Sequence, residues 1–148
     1  MSTLFAFLHH VCAFTLVSAV AIEFALIRGE LTLASARRLQ ITDIVFGISA
    51  GALLIIGLSR VFFFEKGSEY YFHSHAFIAK FSIFIAIGLL SIIPTLEFLS
   101  WNKSLRVGEV PAISAKKLRL VTAVIHGELL SIAIILLCAA IMARGGWV

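Results

Sequence analysis

Charge is the first thing this sequence lacks: only 14% of its 148 residues are Asp, Glu, Lys or Arg, against about 25% in soluble domains. A water-soluble domain so poor in charge and 61% hydrophobic would expose wide apolar patches and aggregate, so a soluble fold is excluded. Cysteine is nearly missing as well. Cys12 and Cys138 form no CxxC pair and no disulfide framework. Only two prolines, Pro94 and Pro111, interrupt the chain, so long helices can run unbroken. No Lys or Arg stands before Arg28. A cleaved signal peptide needs a basic start, so the first apolar segment is expected to be retained, although residues 19–21 have the small-x-small form of a cleavage site.

What is present is long apolar runs, with a mean hydropathy of +1.07. A helix rising about 1.5 Å per residue needs about 20 apolar residues to cross ~30 Å of hydrocarbon. Four segments meet that length, at about 4–27, 42–64, 76–99 and 119–143. The expected fold is therefore all-α, an integral membrane four-helix bundle forming a single domain over 1–148. Residues 30–41 read as a connector or interfacial turn, 65–74 as a polar stretch with Tyr70 and Tyr71 in an aromatic belt, and 101–118 as the longest polar loop. Gly47 and Gly51 form a GxxxG expected to serve helix packing, and Pro94 is expected to kink the third span near its end.

The net charge of +4 reflects topology rather than nucleic-acid binding, because the cations gather between apolar segments. The loops after spans one and three hold Arg28, Arg37, Arg38, Lys103, Arg106, Lys116, Lys117 and Arg119, while the other side has Lys66 and Arg144, with Arg60 close to it. By the positive-inside rule both termini face outward. The lipid bilayer is the expected partner; the sequence leaves a homo-oligomer or a larger membrane complex open.

Ionisable groups within the spans cost about 2.5–3.5 kcal/mol each at the bilayer centre, so each needs a partner or a wet cavity. His9, His10, Arg60 and Lys80 fall in the outer half; Glu23, Asp43 and Glu97 lie toward the inner surface, with His126 and Glu128 deeper on that side. The three shallower acids are expected to pair with the basic inner loops, and Arg60 and Lys80 to snorkel outward. Imidazole ligates haem iron, zinc and copper, and bundles hold cofactors on inward histidines. His10 and His126 are the candidate haem ligands, yet the helical rise leaves about 10 Å between their backbones along the normal. Arg28 shares a face with His10, eighteen residues away. A soft-metal site for copper or zinc from His9, His10 and Cys12 is the alternative, since His9 and Cys12 share a face.

His10 early in span one, Arg28 closing it, Ile41 and Thr42 opening span two, Gly57 and Leu58 near its end, and the run IAKFS at 78–82 together resemble known proteins. The whole chain resembles a family of small bacterial four-span membrane proteins catalogued as a domain of unknown function. More distantly it is similar to the membrane-bound, haem-containing protoporphyrinogen IX oxidases and to copper-resistance-D-like membrane proteins. The oxidases' Trp-Phe-Ala-Gly stretch and the proline opening their second span are replaced here. The resemblance implies a bacterial inner-membrane protein with haem b or a porphyrin held at His10, Lys80 associated with activity, and porphyrinogen oxidation as the reaction if it is an enzyme. Arg60, at similar depth, joins Lys80 as a candidate catalytic cation. Metal binding or transport, and a non-catalytic accessory subunit, remain open alternatives.

Overall fold

A computed structural model describes residues 2–64 and 68–145. Glu65, Lys66 and Gly67 of the expected polar stretch, the side chain of Tyr70, and residues 146–148 lie outside the described residues. Among the described residues every regular element is helical: α1 Ser2–Arg28, α2 Leu33–Ser59 continuing into a π-helical turn Arg60–Phe64, α3 Ser68–Phe72, α4 His75–Leu90, α5 Ile92–Ser100, α6 Asn102–Arg106 and α7 Ala115–Ala143. Four helical stretches are long and apolar enough to cross a membrane: Thr3–Arg28, Leu33–Phe63, His75–Arg106 and Ala115–Ala143.

Two boundaries differ from the sequence reading. The connector is only a few residues long, because Thr32 and Ser35 close a capping box: Ser35 N–H donates to Thr32 Oγ1 at 3.1 Å and Thr32 N–H to Ser35 Oγ at 2.8 Å. That reciprocal pair satisfies two of the helix's orphan donors and starts α2 nine residues before the apolar run. The second span is therefore 31 residues long, about 46 Å by its rise, and overshoots ~30 Å of hydrocarbon with Arg37 and Arg38 on the projecting turns. At the other basic segment, α6 and the first turn of α7 occupy much of 101–118. Gly108, at φ 75, turns the chain after α6, and Ser114 caps α7 by accepting from Lys117 N–H at 3.2 Å.

The proline acts as expected and for the expected reason. Pro94 has no N–H for the Leu90 carbonyl, and α4 stops at Leu90 with a turn at Ser91 before α5 resumes. This break decides the architecture. α1 packs along α2 and also against α7, α4 packs against α7, and α5 packs against α2 as well as α7. The third span thus meets α2 through α5, while α2 and α4 form no packing interface among the described residues.

The core is correspondingly uneven. Leu16, Val20, Leu39, Phe46, Phe98, Trp101 and Ile125 fill the half of the bundle nearest the basic loops. A smaller cluster of Val61, Tyr71 and Phe77 closes the end that carries the chain termini. Outside, Phe14, Ile48, Ile55 and Leu130 are well exposed, as a lipid-facing surface requires. The GxxxG is part of that surface. Gly47 and Gly51 are exposed, and a Cβ on either would meet nothing within 4 Å, which corrects the expectation that they pack helices within this chain. The buried positions of α2 are Ala36, Leu39, Asp43, Phe46 and Ser49, and the glycines lie off that stripe.

Candidate functional site

The parting of α2 and α4 leaves a half-enclosed cavity of about 430 Å³ toward the termini, within the ~300–1,000 Å³ range of small-molecule sites. His9, His10 and Ala13 line it from α1, Leu53, Leu54 and Gly57 from α2, Arg60 and Val61 from the π turn, Tyr71 from α3, Phe77, Lys80, Phe81 and Phe84 from α4, and Ile135 and Ala139 from α7. Four of the seven residues singled out from sequence, His9, His10, Arg60 and Lys80, line this one cavity.

Each polar group has a local cause for its position. His10 Nδ1 lies 2.6 Å from the Ala6 carbonyl oxygen. A carbonyl only accepts, so Nδ1 carries the hydrogen, and in the neutral ring Nε2 then holds the lone pair, the tautomer that ligates metals. His9 and His10 rings meet edge to face, 6.1 Å between centroids. Gly57 of α2 faces the His9 ring, and a Cβ there would stand in ordinary contact with it at 3.6 Å. Lys80 Nζ sits 5.1 Å from the centroid of the Phe77 ring, a cation–π contact. Arg60 begins the π turn, an irregularity frequent at functional sites.

Two lining features escaped sequence reasoning. Tyr71 belongs to the buried cluster rather than to an aromatic belt, 5.4 Å from Phe77 between ring centroids. Phe77, Phe81 and Phe84 recur at helical spacing beside Lys80, with Phe77 and Phe81 stacked at 5.9 Å. That period is readable as a helix face, but not as one turned toward a cavity.

The remaining candidates are placed elsewhere. His126 is exposed on α7 and packs edge-on against Phe24 at 5.6 Å, with Arg28 over the same ring at 5.2 Å. Phe24 is fourteen residues from His10, about 21 Å along α1. The structure therefore does not bring His126 or Arg28 to His10, and a haem held between the two histidines does not fit. Cys12 is half-buried and absent from the cavity lining, and Cys138 is buried in α7. Among the described residues no group of three or more His, Cys, Asp or Glu is arranged to hold a metal ion. His9, His10 and Cys12 thus do not assemble as the copper or zinc set their spacing suggested, because Cys12 lies off the cavity that the two histidines line.

Of the inner acids, only Glu97 meets a basic group as expected. Its Oε2 lies 3.2 Å from Lys117 Nζ, and its Oε1 accepts from Trp101 Nε1 at 3.1 Å. Glu23 and Asp43 have no such pairing among the described residues.

The chain belongs to the family described as Predicted membrane protein (DUF2214), whose model matches residues 1–146. No curated protein and no solved structure matches it, so the likeness to haem-containing oxidases rests on the residues quoted for it alone.

Proposed function

We propose that this member of the DUF2214 family binds an amphipathic, anionic tetrapyrrole, b-type haem or a porphyrin, in the cavity between α2 and α4. The observation that carries this reading is His10: its Nδ1 is held on the Ala6 carbonyl, which presents a basic Nε2 at the wall of an apolar cavity that also contains Arg60 and Lys80. The donor set fits the group. One imidazole in the right tautomer would hold iron, the aromatic face of Phe77, Phe81 and Phe84 would cover a flat macrocycle, and the two cations would meet its carboxylates. Bound haem would supply a redox centre. The chain's own contribution is to fix the imidazole, exclude water with apolar walls and neutralise the propionates. Porphyrinogen oxidation is the enzymatic form of this reading, with Lys80 and Arg60 against the substrate's carboxylates.

The test is an absorption spectrum of the protein purified from cells supplied with haem. A Soret band is expected in the wild type, strongly reduced in His10→Ala and weakened in the Arg60→Gln, Lys80→Gln double variant. Wild-type protein without a Soret band would reject haem, and one that takes up neither haem nor metal-free porphyrin would reject the tetrapyrrole.

We also propose that the protein resides in the bacterial inner membrane with both termini outward, which the concentration of Lys and Arg in the other two loops supports. A reporter that matures only outside the cytoplasm should be active when fused to the C-terminus. Activity of a cytoplasmic reporter at that position instead would reverse the orientation.

A further inference from the structure

All four spans meet at a second polar place, away from the cavity. Glu23 on α1 is thirteen residues beyond His10, about 20 Å along the helix. It is 1% exposed, Glu128 on α7 is 2% exposed, and Asp43 on α2 is buried as well. The helices that carry them pack on one another, α1 along α2 and against α7. The third span contributes Thr95, whose hydroxyl donates to Asp43 Oδ1 at 2.9 Å.

Two oxygens stand out. Glu23 Oε1 and Glu128 Oε1 are buried with no hydrogen-bond partner among the described residues. Among the described residues no Lys, Arg or His comes within ion-pair distance of Glu23, Asp43 or Glu128. The charged groups of the surrounding elements are engaged elsewhere or face outward. Arg28 of α1 and His126 of α7 lie on Phe24, and Arg37 of α2 donates to the Leu105 carbonyl at 3.2 Å. Glu97 of α5 is bound to Lys117 of α7 and to Trp101. Val20, Phe46, Phe98 and Ile125, each three residues along its helix from Glu23, Asp43, Thr95 or Glu128, belong to the apolar core.

Three carboxylates without a cation in such a place would lose hydration and repel one another. Something must remove the charge, and the choice lies between a metal ion and protons. The acids are not gathered closely enough to hold a metal ion, whereas a proton needs only one oxygen. We propose that Glu23, Asp43 and Glu128 form an intramembrane proton-binding site, with Glu23 and Glu128 as the residues that take up and release the proton and Asp43 as the acid anchored by Thr95. Ionisable residues at membrane depth commonly mark proton paths, and this one joins all four spans. The site is independent of the tetrapyrrole reading.

Dicyclohexylcarbodiimide, an apolar reagent that adds the O–H of a protonated carboxyl across its C=N bond, tests the assignment on the folded wild-type protein in lipid vesicles. Adducts located by mass spectrometry are expected on Glu23 or Glu128, falling several-fold from acidic to alkaline buffer and unaffected by sodium. The adduct at a given position should vanish in the matching Glu23→Gln or Glu128→Gln variant. Absence of adducts on both residues at every pH, or labelling equal to that of exposed Glu30 and Glu109, would overturn the proposal. Protection by sodium at constant pH would overturn it in favour of a cation site.

Discussion

Thr95 donates its hydroxyl hydrogen to Asp43 across 2.9 Å, tying the second and third spans together one residue past the proline that separates α5 from α4. On one side of this bond the bundle is closed around Phe46, Phe98 and Ile125; on the other α4 follows α7 and the cavity opens. Thr95→Val keeps the shape of the side chain but leaves a buried carboxyl without its donor. A loss of about 1–3 kcal/mol is expected, read as lower unfolding stability in detergent, with Thr95→Ser close to wild type.

Glu97 separates a buried hydrogen bond from an exposed ion pair in a single side chain. Lys117 is 64% exposed, so water screens its attraction and Lys117→Ala should cost less than about 1 kcal/mol. Glu97→Ala also strands the indole N–H of Trp101, itself 2% exposed, and should cost about 1–3 kcal/mol. Thermal unfolding of the two variants in detergent, compared at low and high salt, checks the order. The Lys117 effect should shrink with salt, while the larger part of the Glu97 effect, the stranded indole N–H, should persist.

Gly57 controls the floor of the cavity. A methyl group there would reach ordinary contact with the His9 ring at 3.6 Å, so Gly57→Ala should retain ligand uptake. Gly57→Leu should fill the space, displace His9 and abolish uptake of a tetrapyrrole while the far-ultraviolet circular dichroism stays helical. Uptake unchanged in the leucine variant would place the ligand elsewhere.

Gly47 and Gly51 provide a contrast on the same helix. With nothing within 4 Å of either Cβ position, replacement of both by leucine should leave the fold of the single chain intact. The measurement is unfolding of the detergent-solubilised monomer, where the midpoint should not fall.

Much of the site's membership is legible in the sequence, because depth follows from counting. His9, His10, Arg60 and Lys80 lie at similar distances from their span ends, and spans that share a bilayer share a depth scale. What counting misses is direction. His126 stands on an outward face beside Phe24, Tyr71 turns inward, and Glu23 and Asp43 turn away from the basic loops that lie within a turn or two of them.

The sequence by itself determined four membrane-spanning helices and the break at Pro94, since both follow from covalent structure: the length of an apolar run against the thickness of hydrocarbon, and a backbone nitrogen with no hydrogen. Helix starts were partly hidden, because the capping box at Thr32 and Ser35 sits outside the apolar run. Only the tertiary structure decided which side of each span faces its neighbours. Lipid and a bundle interior accept the same apolar side chains, so hydrophobic periodicity, which separates inside from outside in water, cannot separate protein from lipid. The cavity at His10 and the acid cluster at Glu23 are products of that choice of faces.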